Sequence, residues 1–387
     1  MSPTPVPADH REPKAHRRVG RPRRLLHPGA WWVWATALAA AALRTTDPLL
    51  LGLILAVVAF VVAARRTDAP WARSFGSFLR LGAFVISIRV LFQMLFGVRL
   101  EGTTLFTIPS VTLPSWAAGV SLGGPVTLEA LVGAATQGLR LAVVLACFGA
   151  ASSLCSPYRM LRALPSALYE AGVAITVALT FAPQAVIASR QVRDARRLRG
   201  RTDRGPAAWL GSAMPVLEGA LERSVALAAS MDARGYGRRG ATPIRTRRLI
   251  TASMLIGLVA VAVGAYGLLD DTVPAVLRTP PFLLGAAALM GALYLSGRGA
   301  ERTRYRADPW SIPEWSVSLS GVAALVAMVI AGRNGADLEP SVYPLTMPAL
   351  VPLPTVGILL AVLPAWLAPR PPALASVEFE THFEVAA

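Results

Sequence analysis

Two arginines, Arg199 and Arg234, stand 35 residues apart, each followed by glycine, in Leu198-Arg199-Gly200 and Ala233-Arg234-Gly235. The first closes the run Asp194-Ala-Arg-Arg-Leu-Arg-Gly-Arg201, and the second sits inside Ser230-Met-Asp-Ala-Arg-Gly-Tyr-Gly237. A guanidinium is a permanently charged planar fork of donors, so the chemistry it offers is recognition, through charge-assisted hydrogen bonds to acidic groups. Each motif falls where a helix is predicted to stop. Arginine near a helix C-terminus suits the negative end of the macrodipole, and the glycine after it suits the left-handed cap. An arginine exposed at such an end is a knob for an acidic socket on a partner.

Chemistry of other kinds is missing. The single lysine, Lys14, lies in the N-terminal tail with no glycine-rich loop, so there is no Walker A motif and no P-loop ATPase activity. The four histidines are His10, His16, His27 and His382, all outside the apolar runs, which leaves a zinc protease or a Ser-His hydrolase in the membrane without its histidine. Cys147 and Cys155 make no metal-ligand pattern and read as packing residues. Glu129 opens an apolar run, and Asp47 and the pair Asp270–Asp271 sit at run ends, whereas ion-coupled carriers keep carboxylates at mid-membrane. We expect no catalytic residues, no cofactor, no metal and no enzyme activity in this chain.

The elements that position the two arginines follow from composition and charge. The chain has 387 residues, 54% of them apolar, a net charge of +16 and a mean hydropathy of +0.51. A soluble domain does not combine these values. Apolar runs at about 29–46, 48–65, 78–97, 126–152, 248–269, 280–297, 315–332 and 349–368 approach the roughly 20 residues that span a bilayer. The basic excess lies between these runs, as cytoplasmic loops do, rather than in one basic domain, so nucleic acid is not an expected partner.

Arginine bias orients the runs. The basic tail before residue 29 lies inside. So does the loop with Arg65, Arg66, Arg73 and Arg80, and the segment with Arg298, Arg302, Arg304 and Arg306. The loops 98–125 and 333–348, with one arginine each, lie outside. Four spans bring the chain back inside near 153, and the region 190–248, with 14 arginines, belongs inside too. One crossing between them would put those arginines outside. The apolar stretch 166–187 is therefore predicted to lie on the cytoplasmic membrane surface or against another membrane protein; the alternative is a ninth span or a re-entrant pair.

A second helix is predicted from about Pro206 to Met231. Leu210, Met214, Leu217, Leu221, Val225 and Ala228 recur at spacings of three and four, which is one apolar stripe. Glu218, Glu222 and Arg223 fall away from it. The helix follows a surface-lying one with no aqueous core of its own, so its stripe must pack against a neighbour. The fold class expected is an all-α polytopic membrane protein with about eight transmembrane helices. Residues 1–26 form a disordered, basic cytoplasmic tail rather than a signal peptide, 27–152 hold spans one to four, and 153–247 form a cytoplasmic helical domain. Residues 248–269 make span five, 270–368 further spans, and 369–387 a cytoplasmic tail.

Over roughly residues 25–270 the chain resembles the transmembrane T component (EcfT/CbiQ family) of energy-coupling factor (ECF) transporters, ATP-driven importers of vitamins and of cobalt or nickel ions. The features that carry the resemblance are Leu26-His27-Pro28 before the first span, Asp47-Pro48-Leu49 between the first two, and Ser156-Pro157-Tyr158-Arg159 after the fourth. To these add Pro183 and, above all, the paired Arg-Gly motifs.

The resemblance implies a plasma-membrane coupling subunit that joins a substrate-binding S component to two ABC-type ATPase subunits. In that family two long cytoplasmic coupling helices each end in an X-Arg-X motif docked in a groove of one ATPase. The positions that match are Arg199 with Leu198 and Gly200, and Arg234 with Ala233 and Gly235. Leu198 departs from the family's usual alanine, and 280–387 extends beyond the fifth span, near which typical members end. ATP hydrolysis would belong to the partners, and the S component would carry substrate specificity. Alternatives from other classes are a polytopic membrane enzyme whose arginines bind anionic lipid headgroups, and a scaffold without a transport role.

Overall fold

A computed structural model describes residues 26–67, 70–96, 102–112, 121–163, 168–200, 206–236, 243–269, 273–277, 279–298 and 310–369. The expected tails over 1–25 and 370–387, the Asp270–Asp271 pair and the arginines of 301–309 lie outside these residues. The chain divides into two compact units. One is built from the helices before residue 156 together with those after 308, and the other from the helices between.

The first unit begins with two helices whose starts are written in the sequence. Helix α1 (Pro28–Ala42) opens with His27, whose Nδ1 accepts from the Gly29 N–H at 3.1 Å, and with Pro28 in the first turn. Helix α2 (Pro48–Arg65) opens the same way, Asp47 accepting from the Leu49 N–H at 2.8 Å. A side-chain acceptor at the N-cap and a proline just after it satisfy the free N–H groups of the first turn. Helix α1 stops at Ala42, short of the expected Thr46. At 1.5 Å per residue it is about 22 Å long, less than the ~30 Å hydrocarbon core.

A 3₁₀ turn at Pro70–Arg73 leads into α3 (Ser74–Phe96), which packs along α4 (Leu128–Leu154). Their backbones meet closely at Gly138, where a Cβ would stand 3.0 Å from the Ile86 Cα. Small residues at such a crossing are how apolar helices associate in lipid.

Between α3 and α4 the chain is not helical. Strands β1 (Thr104–Thr112) and β2 (Ser121–Thr127) pair antiparallel, in a register that sets Thr104 opposite Thr127 and Phe106 opposite Val126. The fold is otherwise helical, in keeping with the all-α membrane class expected, and this hairpin is an exception within it. The segment Thr104-Leu-Phe-Thr-Ile is rich in β-branched and aromatic residues, a strand composition that reading the loop only for charge passed over. Glu129, at the start of α4, anchors the hairpin: Oε2 accepts from the Thr103 N–H at 2.9 Å and Oε1 from its hydroxyl at 3.0 Å.

The core of this unit is completed by helices from the far end of the sequence. Helix α10 (Ile312–Arg333) lies against α1 and α11 (Pro352–Leu360), and α11 and α12 (Pro364–Leu367) reach α2. Trp34, Leu38, Ile54, Val58, Val317, Met328 and Ile358 are fully buried together. At Gly321 a Cβ would stand 2.8 Å from the Trp34 Cα, so only glycine allows α10 this close to α1. The Trp34 indole N–H donates to the Ala361 carbonyl at 3.1 Å. Arg65 is buried and donates to the Ala365 carbonyl through Nε at 2.9 Å and Nη2 at 2.6 Å. It is thus a structural clasp, although the sequence counted it only as an orientation signal.

The second unit holds α5 (Pro157–Arg162), α6 (Tyr169–Leu198), α7 (Pro206–Ala233), α8 (Ile244–Leu269) and α9 (Thr279–Arg298). Helix α6 packs on α7, and α8 on α9. Pro183 lies inside α6 and Pro215 inside α7, each removing one helical N–H.

Among the described residues seven helices are long and apolar enough to cross a membrane: Pro48–Arg65, Trp71–Phe96, Leu128–Leu154, Glu170–Leu198, Ile244–Leu269, Thr279–Gly297 and Ile312–Arg333. The chain is therefore read as a multi-pass membrane protein. Two of the eight expected spans are shorter than foreseen. One is α1. The other is the run 349–368, which is broken at 361–363 into the short α11 and α12. Helix α6, expected on the membrane surface, is itself long and apolar enough to cross, so charge parity alone argues against its crossing.

Candidate functional site

Both Arg-Gly motifs form the ends of long helices, in one geometry. Helix α6 ends at Leu198, Arg199 follows as its C-cap, and Gly200 takes a φ of 75°, its N–H bonding the Arg197 carbonyl at 3.0 Å. Helix α7 ends at Ala233, followed by Arg234 and then Gly235, also at φ 75°. Here the Gly235 N–H donates to the Asp232 carbonyl at 2.8 Å and the Tyr236 N–H to the Met231 carbonyl at 3.0 Å. These two bonds are the Schellman closure. The left-handed φ is why glycine follows each arginine. The chain turns sharply after each cap and leaves the guanidinium at the tip.

Both arginines are exposed, and Leu198 beside the first is 90% exposed. The aspartate one turn before the first motif serves another residue: Asp194 lies 3.9 Å from Arg197. Among the described residues no carboxylate lies within ion-pair distance of Arg199 or Arg234.

Helices α6 and α7 run antiparallel. The Arg223 guanidinium lies 5.7 Å from the centre of the Phe181 ring, a cation–π contact, and Arg196 lies against Gly211. Arg199 therefore belongs to the end of the pair where α7 begins, and Arg234 to the end where α7 finishes. Helix α7 has 28 residues, so the two tips are separated by on the order of 40 Å. One small socket cannot hold both.

The apolar stripe predicted on α7 is uncovered. Met214, Leu217, Leu221 and Val225 are all more than 60% exposed, and the side chain of Leu210 lies outside the described part. Each costs free energy in water at about 25 cal/mol per Å² of apolar surface, so the stripe faces lipid or a partner chain.

Sequence reasoning missed two arginines that lie within apolar helices. Arg140 of α4 donates through Nη2 to the Leu43 carbonyl, capping the short α1 with a positive charge. Arg89 of α3 donates through Nη2 to the Gln137 side-chain oxygen of α4. The available signal was a charged residue interrupting an apolar run. No protein-family model matches the chain, and no curated protein matches it either.

Proposed function

We propose that this chain is the transmembrane coupling subunit of an ATP-driven importer of the energy-coupling factor type. In this reading it is non-catalytic. It transmits conformational change from two ABC-type ATPase subunits to a membrane-embedded S component that binds a vitamin or a cobalt or nickel ion. The observation that carries the reading is the pair of C-cap arginines, Arg199 and Arg234, exposed at opposite ends of the antiparallel α6–α7 pair. Two tips that share an exposed C-cap arginine before a left-handed glycine, on the order of 40 Å apart, suit two copies of one kind of socket. An exposed guanidinium suits an acidic one. The uncovered stripe Met214–Leu217–Leu221–Val225 then supplies the face that meets the S component. The cytoplasmic side of the plasma membrane is the place proposed for α6 and α7, with both chain termini on that side.

The test is purification of the tagged full chain from its own membranes, followed by quantitation of co-purifying nucleotide-binding chains and of ATP hydrolysis. The reading expects two ATPase chains per copy of this protein and no hydrolysis once they are stripped away. A chain that purifies alone and turns over a lipid or peptide substrate would establish the membrane-enzyme reading instead.

A further inference from the structure

Arg89 is a charged side chain on a helix long and apolar enough to cross the membrane, and among the described residues no opposite charge balances it. It lies 15 residues into α3, whose 23 residues make a helix of about 34 Å, so its Cα sits within the hydrocarbon depth. It is exposed, as are Phe92 and Phe96, which follow it at the i+3 and i+7 positions of the same side. The two phenylalanine rings lie 5.6 Å apart. Its partner is the neutral Gln137, itself exposed, which takes one of its donors and none of its charge. Among the described residues, no carboxylate lies within ion-pair distance of it. Arg140 of α4 has a job inside the fold: it caps α1 at Leu43. Among the described residues Arg89 makes only its bond to Gln137, which leaves its charge unmet.

An arginine facing lipid at that depth is costly unless it reaches headgroups or meets a counter-charge. The nearer end of α3 is its C-terminal one, about 10 Å away. Helical Cβ atoms point toward the N-terminus, so the stem starts toward the farther interface, and the guanidinium is turned sideways to α4. Snorkelling to headgroups is thus poorly served.

We propose that the Arg89–Phe92–Phe96 face of α3 is a docking surface for a different membrane-spanning chain that carries an aspartate or glutamate at matching depth. A second copy of this chain does not fit, because a symmetric contact would bring two Arg89 guanidinium groups together. The inference does not rest on the coupling-subunit reading, since it needs no ATPase and no role for Arg199 or Arg234.

The test places a photo-crosslinking amino acid at Phe92 of the full chain in native membranes, and the linked peptide is sequenced. The expected adduct is one other polytopic chain, with an Asp or Glu within a helical turn of the linked residue. Arg89→Glu and Arg89→Gln should each lower its yield ~10-fold or more, as loss of a desolvated charge pair does, and Arg89→Lys should lower it less. Changing the partner's acidic residue to arginine should restore the adduct in the Arg89→Glu background. Extraction and size-exclusion behaviour of Arg89→Gln monitor folding, because that variant keeps a hydrogen-bonding side chain beside Gln137. Adducts only to lipid, to a second copy, to another part of this chain or to a peptide without a carboxylate would overturn the proposal, as would undiminished yield in Arg89→Glu and Arg89→Gln.

Discussion

Glu314 Oε1 accepts a hydrogen bond from the backbone N–H of His27, 287 positions earlier in the chain, at 3.3 Å. Its other oxygen accepts from the Ser311 N–H at 3.0 Å and the Ser311 hydroxyl at 2.6 Å. One buried carboxylate therefore ties together the N-termini of α1 and α10, where negative charge is favoured by both helix dipoles. The C-terminal helices are thus part of the N-terminal unit's core.

Glu314→Ala strands the His27 and Ser311 N–H groups and removes the acceptor. Hydrogen bonds to a charged group contribute about 1.5–3 kcal/mol, so the variant should lose about 2–3 kcal/mol of stability. Glu314→Gln, which keeps one acceptor oxygen, should lose less. Thermal unfolding of the detergent-solubilised protein measures both. Equal melting of Glu314→Ala and the wild type would show that the clasp contributes nothing.

Arg65 closes the other end of this arrangement through its two bonds to the Ala365 carbonyl. Arg65→Met keeps most of the volume but leaves that buried carbonyl unpaired, a cost of about 1–3 kcal/mol. The loss falls on α12, so proteolytic cleavage after α11 should accelerate while cleavage near the α3–α4 hairpin does not. Unchanged cleavage on both sides would contradict the role given to Arg65.

The sidedness of α6 is open to a direct measurement, because its length and its charge environment point in opposite directions. Cys147 and Cys155 are free and buried, so they give a low background for thiol labelling. A cysteine placed at Arg193 should resist an impermeant maleimide added outside intact cells and react once the membrane is opened. Labelling from outside would mean that α6 crosses, and the parity argument would fail.

The helix stops at Arg199-Gly200 and Arg234-Gly235 were legible because capping is local: a few adjacent residues decide it. The starts at His27-Pro28 and Asp47-Pro48 are just as local, but reading those residues only as flanks of apolar runs passed over them. The uncovered stripe of α7 was legible because periodicity alone marks it. The rest depended on contacts distant in sequence. That Glu314 would reach His27, that Arg65 would clasp Ala365 and that Gly321 would admit Trp34 depend on α10–α12 folding back onto α1 and α2. In a chain where most helices are apolar on every side, no pattern announces which of them will touch. The breakage of 349–368 has a local signal in Pro364, which reading the run for hydropathy alone passed over.

The two cap arginines carry the sharpest prediction. In an acidic groove each makes charge-assisted hydrogen bonds, and removing one partner of a buried interfacial pair costs about 2–5 kcal/mol, partly by stranding the other charge. Arg199→Ala and Arg234→Ala should therefore each weaken ATPase co-purification and uptake while membrane insertion is unchanged. The double variant should be worse than either, since in the proposed reading tips at opposite ends of α7 enter separate sockets and distant effects add. Lysine should rescue in part, keeping the charge and losing the fork. Arg197→Ala is the control. Arg197 lies two residues from Arg199 and carries the same charge, but it leans on Asp194 at 3.9 Å, and such an exposed pair contributes little. All variants are compared at equal expression. If Arg197→Ala impairs co-purification as much as Arg199→Ala does, diffuse positive charge rather than a docked side chain explains the motif. If Arg199→Ala and Arg234→Ala both leave it intact, the two tips have no sockets and the coupling reading fails with them.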